Sequence, residues 1–276
     1  MRRERFDRTD QVEFWLRFAL GVLSLLFLGL AGVQACRAKP APEPDAESTF
    51  AGNWLPGASK SRAPRAEDTR VRVEPLEGSE PALFVARGQA GPNRLVFLHG
   101  MCGHAQGYAQ SFQYSAARWG RLIAPQGDVP CGAGPWAKWS ADLEALEVRL
   151  ERGFTAVGAP QAPAVVIGYS QGATRAEQLA RNHPDRFAWL VSIAAPRAPS
   201  PRGLGHLKSA VMMAGERDRQ DLMKAATEAF NRAGIPTTFI ELPNARHGSM
   251  GATPELSMAE AFDWMFTQEH EATARN

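Results

Sequence analysis

The chain has 276 residues, of which 44% are hydrophobic and 22% charged, with a formal net charge of +2. That balance excludes disordered, fibrous and collagen-like classes, and without a basic stripe nothing predicts nucleic-acid binding. Its three cysteines, Cys36, Cys102 and Cys131, are too few for a disulfide scaffold and lack the paired spacing of a zinc site, so no metal is expected.

The first expected element is a targeting segment. Residues 18–33, FALGVLSLLFLGLAGV, are uncharged and apolar, with Arg2, Arg3, Arg5, Arg8 and Arg17 before them and Ala31, Gly32 and Ala35 at the exit. A positive flank, an apolar centre and a small-residue exit make a secretory signal. The run is short for a membrane span, which takes roughly 20 apolar residues. Three fates stay open. Cleavage after Val33-Gln34-Ala35 is one. Lipidation of Cys36 is another, since Val33-Gln34-Ala35-Cys36 resembles a bacterial lipobox with Gln34 out of pattern. An uncleaved membrane anchor is the third. Arg2-Arg3 invites a twin-arginine reading that the following residues fit poorly. All of them place the rest of the chain outside the cytoplasm of a bacterial cell, periplasmic, membrane-anchored or secreted. Residues 37–69, with Pro40, Pro42, Pro44, Pro56 and Pro64 among Ala, Ser and Glu, read as a Pro/Ala-rich linker. The expected layout is therefore 1–36 signal peptide or anchor, 37–69 linker and 70–270 one folded domain.

Within that domain, short apolar runs alternate with amphipathic stretches. Strands are expected at 71–73 and 82–85, as an early hairpin, then at 95–98, 121–125, 164–168, 187–194, 210–214 and 237–242. Helices are expected at 142–152, 173–182, 222–232 and 255–266. Pro184 is placed to end the second of these. The alternation implies a doubly wound, mostly parallel sheet covered on both faces, an α/β fold. Continuous apolar character at 165–167 and 211–213 supports burial on both sides. Sites in such sheets lie beyond the carboxyl ends of the strands, so the residues after each apolar run are the ones that matter.

Gly168-Tyr169-Ser170-Gln171-Gly172 follows one strand and opens a helix. It matches the nucleophile-elbow pattern G-x-S-x-G, in which a sharp turn lifts the serine hydroxyl above the sheet and glycines relieve the crowding on either side. A serine needs a base, and the base an orienting partner. His247 lies past the last strand. His183, His206, His270, His99 and His104 fit worse by position. Asp218, in Ala214-Gly215-Glu216-Arg217-Asp218 after the penultimate strand, is the expected acid, with Glu216 in reserve. Its role is to fix the imidazole tautomer and stabilise the imidazolium. Backbone N–H groups of Met101, after His99-Gly100, and of Gln171 are the expected oxyanion donors.

In their order and context these motifs resemble the α/β-hydrolase superfamily over nearly all of 71–270. Gly168-Tyr169-Ser170-Gln171-Gly172 with Leu122-Ile123-Ala124-Pro125 is most similar to the dienelactone hydrolase and phospholipase/carboxylesterase branches. The resemblance implies cleavage of a small-molecule ester or thioester through an acyl-enzyme, with no cofactor. The connection 196–207 is too short for a cap domain, so an open site walled by 128–139, with Trp136 and Trp139, and by 104–113 is expected, its aromatics serving either to bind an acyl chain or aromatic ring or as packed loop anchors. Adjacent strands bring Cys102 and Cys131 together, and in an oxidising envelope a disulfide between them is expected. The competing readings are a serine peptidase or acyltransferase with the same triad, and a non-catalytic ligand-binding protein of this fold.

Overall fold

The structure is a computed structural model that describes residues 71–88 and 91–274. The targeting segment, Cys36 and the linker lie outside the described residues. None of the described helices is long and apolar enough to cross a membrane.

The domain opens with two antiparallel strands, β1 (Arg72–Pro75) and β2 (Leu83–Arg87). Then follow β3 (Asn93–Leu98), helices α1 (Ala105–Gln110) and α2 (Gln113–Trp119), and β4 (Gly120–Pro125). A small hairpin, β5 (Val129–Pro130) with β6 (Ala137–Lys138), leads to α3 (Leu143–Ala156), β7 (Ala164–Tyr169) and α4 (Gln171–Asn182). The chain ends with β8 (Phe187–Ile193), β9 (Ser209–Arg217), α5 (Gln220–Arg232), β10 (Thr237–Arg246) and α6 (Pro254–Ala274).

The main sheet has eight strands in the order β1-β2-β4-β3-β7-β8-β9-β10. From β4 to β10 neighbouring strands run parallel, and β2 meets β4 antiparallel. Strand alternation divides the core into two layers. Leu95, Phe97, Val165, Ile167 and Tyr169 face one layer with Ala109 of α1, Ala116 of α2 and Phe262 of α6. Val96, Leu98, Ala164 and Val166 face the other with Leu150 of α3, Leu179 of α4 and Phe230 of α5. All six residues of β7 are buried, which is why they read as one unbroken apolar run. Helix α3 is capped by Asp142, whose carboxylate accepts the Ala145 N–H at 2.9 Å.

The sheet and its four long helices fall where the apolar periodicity predicts them, with changed limits. Strand β9 runs through Gly215 to Arg217, and β10 continues through Pro243 to Arg246 with an irregular register after Leu242. Helix α6 continues to Ala274, past the expected domain end at 270. Helices α1 and α2 occupy 104–113 and beyond, where only a loop wall is expected. The β8–β9 connection carries no helix or strand, so it places no cap over the sheet's carboxyl edge.

Candidate active site

The nucleophile turn shows why its glycines are required. A Cβ on Gly168 would lie 2.3 Å from the Gly172 carbonyl oxygen, and one on Gly172 would lie 2.1 Å from that of Leu98. Ser170 itself sits at φ 50° and ψ −113°, a region that costs a non-glycine residue energy and is held only by its surroundings. Its backbone N–H donates to the Ile193 carbonyl at 2.8 Å, and its own carbonyl accepts from Ala173 at 3.0 Å. The serine is thereby fixed between β7 and α4 with its hydroxyl at the sheet's edge.

Three side chains from three strand ends converge there. The Ser170 hydroxyl lies 3.0 Å from His247 Nε2, and His247 Nδ1 lies 2.9 Å from Asp218 Oδ2. The carboxylate needs an N–H at Nδ1, which leaves Nε2 free to accept the serine proton. The Asp218 side chain is only 9% exposed, against 54% for His247. What brings the acid to the base is a close approach of β9 and β10, where a Cβ on Gly215 would lie 2.4 Å from the Ala245 carbonyl oxygen. Glu216, the reserve acid, is used elsewhere. Its carboxylate accepts the Asn244 N–H at 2.8 Å and holds the bend of β10.

Gln171 is the first residue of α4, so its N–H has no carbonyl a turn earlier and lies at the positive end of the helix. Gly100 presses on the nucleophile, a Cβ there falling 3.3 Å from that of Ser170. The peptide that follows, bearing the Met101 N–H, is thus carried to the nucleophile's side. The loop behind it is tied down by polar groups that sequence reasoning missed. Buried His99 accepts the Gly127 N–H at Nε2, 2.8 Å, and donates from Nδ1 to the Gly100 carbonyl, 2.7 Å. Burial lowers its pKa to about 4, so the imidazole is neutral. Buried Gln126 accepts from Ala105 N–H and donates to the carbonyls of Gly103, 3.0 Å, and Pro135, 2.8 Å. Cys102 and Cys131 are joined in a disulfide with Cα atoms 5.5 Å apart.

Of the two tryptophans expected in the wall, only Trp136 is there. Trp139 is buried and acts as a packed anchor. Its indole N–H donates to the His99 carbonyl at 2.7 Å, and the Gln171 side-chain amide pairs with its backbone N–H and C=O at 3.1 and 3.3 Å. On the opposite flank two tyrosines hold the loop after His247. The Tyr169 hydroxyl accepts the Gly248 N–H at 2.7 Å, and the Tyr108 hydroxyl donates to the Gly248 carbonyl at 3.0 Å. Burial pushes both phenols above their ordinary pKa, so they stay neutral.

A cleft of about 670 Å³ opens beside this assembly, bounded by the Met101 and Gly248 segments. Another of about 530 Å³ is lined by Asp128, Glu144, Arg149 and Arg152, and neither cleft is lined by Ser170, His247 or Asp218 themselves. Among the described residues no cluster of His, Cys, Asp and Glu is arranged to hold a metal ion.

No protein-family profile and no curated protein sequence matches the chain. Solved structures do. A ferulic acid esterase is 13% identical, with 72% of this chain and 97% of the other covered and a TM-score of 0.51. The fluorophosphonate-binding serine hydrolase F of Staphylococcus aureus is 15% identical, covering 71% and 98%, with a TM-score of 0.52. The S-formylglutathione hydrolase of Staphylococcus aureus is 15% identical, covering 73% and 98%, with a TM-score of 0.50. Likeness at such identities speaks for architecture alone, and together with the strand order and the turn at Ser170 it gives this chain the α/β-hydrolase fold.

Proposed function

We propose that the chain is a serine hydrolase that cleaves carboxylic esters or thioesters through an acyl-enzyme. The observation that carries this reading is the unbroken relay from Ser170 to His247 to Asp218, at 3.0 and 2.9 Å. Ser170 Oγ attacks the carbonyl carbon as its proton passes to His247 Nε2, and the carbonyl oxygen becomes the oxyanion, met by the Met101 and Gln171 N–H groups. The imidazolium, stabilised by Asp218, returns the proton to the leaving oxygen or sulfur as its bond to carbon breaks. Water then repeats the sequence against the acyl-serine, which frees the carboxylic acid and restores Ser170. Esterases and serine hydrolases among the structural neighbours agree with this reading.

The reading also has a place in the cell. A disulfide between Cys102 and Cys131 fits an oxidising compartment, and the apolar run at 18–33 fits export. The enzyme would work in the bacterial envelope, held to a membrane by its N-terminal segment or by lipid on Cys36, or released.

The test is hydrolysis of p-nitrophenyl esters from acetate to longer chains by the full chain in mild detergent and by Ser170→Ala. Activity that falls by about a thousandfold or more in the variant is the expected result. Equal activity in both proteins would end the serine mechanism. A chain that takes no ester but labels with a fluorophosphonate at Ser170 would instead be a peptidase or an acyltransferase.

A further inference from the structure

The 670 Å³ cleft lies between the Met101 segment and the segment after His247, so it adjoins the site through Met101 and Gly248, although Ser170 and His247 do not line it. Met101 and Tyr108, Pro135 and Trp136 line it, together with Met250 and Pro254 from the segment that follows His247 in sequence. No lysine, arginine, aspartate or glutamate lines it, and neither does any leucine, isoleucine or valine. A carboxylate or phosphate would find no permanently charged partner there, His104 being the one basic side chain in the lining. In place of branched aliphatic side chains the groove offers ring faces, prolines and two thioethers. Thioethers adapt to the edge of a flat group and contact aromatic rings favourably.

The exposure pattern points the same way. Five large apolar side chains are exposed among the described residues: Met101, Tyr114, Trp136, Val148 and Leu256. Met101 and Trp136 line the groove. Tyr114 comes just after its residue Ser111, and Leu256 just after its residue Pro254. The Glu255 carboxylate accepts the Tyr114 N–H at 3.0 Å and joins these two segments. Two of the five thus share this groove, whereas Val148 lines the other cleft, and apolar exposure paired at a cleft marks a recognition surface. Trp136 is 50% exposed, yet its backbone is firmly held. Its carbonyl accepts the Cys131 N–H at 2.9 Å, the Pro135 carbonyl accepts from Gln126, and the disulfide pins the hairpin to Cys102. His104 meets the indole edge-on at a centroid distance of 6.1 Å. An aromatic side chain on a pinned backbone and open to solvent is preorganised for a ligand.

We infer that this groove is the subsite for an uncharged aromatic ring carried by the ester, and that Trp136 selects for it. The inference rests on the hydrolase reading for the reacting ester, and on the groove alone for the ring.

Two substrate pairs test it with the full chain. Methyl phenylacetate against methyl cyclohexylacetate places the ring on the acyl side, and benzyl acetate against cyclohexylmethyl acetate places it on the alcohol side. Within each pair the reacting carbonyl is nearly unchanged. Stacking and edge contacts favour the aromatic member of one pair by about three- to tenfold in kcat/KM, and the pair that shows it identifies the side. Trp136→Ala brings that ratio to near one, and Trp136→Phe retains most of it. A ratio near one for both pairs in the wild type, or a ratio that survives Trp136→Ala, overturns the inference. If the chain hydrolyses no ester at all, the hydrolase reading falls and the groove is still testable. Ser170→Ala protein then binds methyl phenylacetate more tightly than methyl cyclohexylacetate in saturation-transfer NMR, and Ser170→Ala/Trp136→Ala does not. Failure of the Ser170→Ala protein to discriminate overturns the inference there too.

Discussion

The Cys102–Cys131 disulfide offers the sharpest quantitative test. The two residues are 29 apart in sequence, and closing a loop of that length removes denatured-state entropy equivalent to about 3.6 kcal/mol at 25 °C. In the folded state other bonds span the same junction. Gln126 bridges Gly103 and Pro135, and the Ala137 N–H donates to the Gly103 carbonyl at 3.2 Å. Removing the cross-link should therefore act mainly on the unfolded chain and leave the hairpin docked. The perturbation is Cys102→Ser/Cys131→Ser, and the assay is urea unfolding. With a slope of about 2.5 kcal/mol per molar, the midpoint should fall by about 1.5 M. The slope itself should rise slightly, because an unbridged unfolded chain exposes more surface. Under conditions where the variant is fully folded, kcat/KM should drop by no more than about tenfold, since Met101 is still carried by Gly100 and His99. A midpoint shift below about 0.5 M would refute the loop-entropy argument. A folded variant without activity would show that the disulfide, rather than the polar ties, positions the oxyanion loop.

Asp218→Asn should lower kcat by roughly ten-thousandfold with little effect on folding, because an amide permits the wrong imidazole tautomer; a loss below about tenfold would return Glu216 to consideration. Tyr169→Phe strips the protein acceptor from the N–H of exposed Gly248, where water can take its place, so the cost is that of an ordinary hydrogen bond, about 0.5–1.5 kcal/mol. It should lower the thermal midpoint and cut kcat more than KM, and an unchanged midpoint would argue against the clamp on the His247 loop. Buried His99 has its pKa lowered from 6.5 to about 4, so the unfolded chain takes up the proton first. Its contribution is thus undiminished above about pH 6.5, and stability is lost as pH falls from there towards 4, by on the order of 3 kcal/mol in all. Unfolding free energies of His99→Gln should lose that part of their slope between pH 7 and 4.5, and an identical slope would mean that His99 is protonated in the fold.

Much of the site is legible in the sequence because each triad residue terminates a strand. Once 164–168, 210–214 and 237–242 are read as strands, Ser170, Asp218 and His247 are at the sheet's carboxyl edge. The glycines around Ser170 are legible for a similar reason: the contact that forbids a side chain is made inside the motif or with the adjoining β3. His99, Gln126, Trp139 and Tyr169 give no such signal. Each has a partner 21 to 79 residues away, and nothing local marks a glutamine that will bridge three backbone groups. Helices α1 and α2 did leave a trace. Ala105, Ala109, Phe112 and Ala116 are all fully buried and follow helical spacing. Alanines contribute little to an apolar stripe, and Gly107 and Ser111 interrupt it. The hairpin β5–β6 pairs only two residues a strand, too few for alternation to show.

Trp136 and Trp139 show the limit most clearly. They are three residues apart in a stretch without periodicity, and composition gives no reason to separate them. The hairpin separates them. Pairing of Val129 with Lys138 and of Pro130 with Ala137 fixes the strand that leads from Trp136 to Trp139. The bridge between Gly103 and Ala137 then lays that strand against the oxyanion loop. Trp139 is thereby turned inward, where its indole N–H finds the His99 carbonyl and its backbone finds Gln171. Trp136, at the start of the same strand, stays at the surface beside Met101. One strand therefore supports the Met101 loop at one end and carries the exposed Trp136 at the other, so that the backbone which would hold the proposed oxyanion donor also holds the wall of the proposed ring subsite.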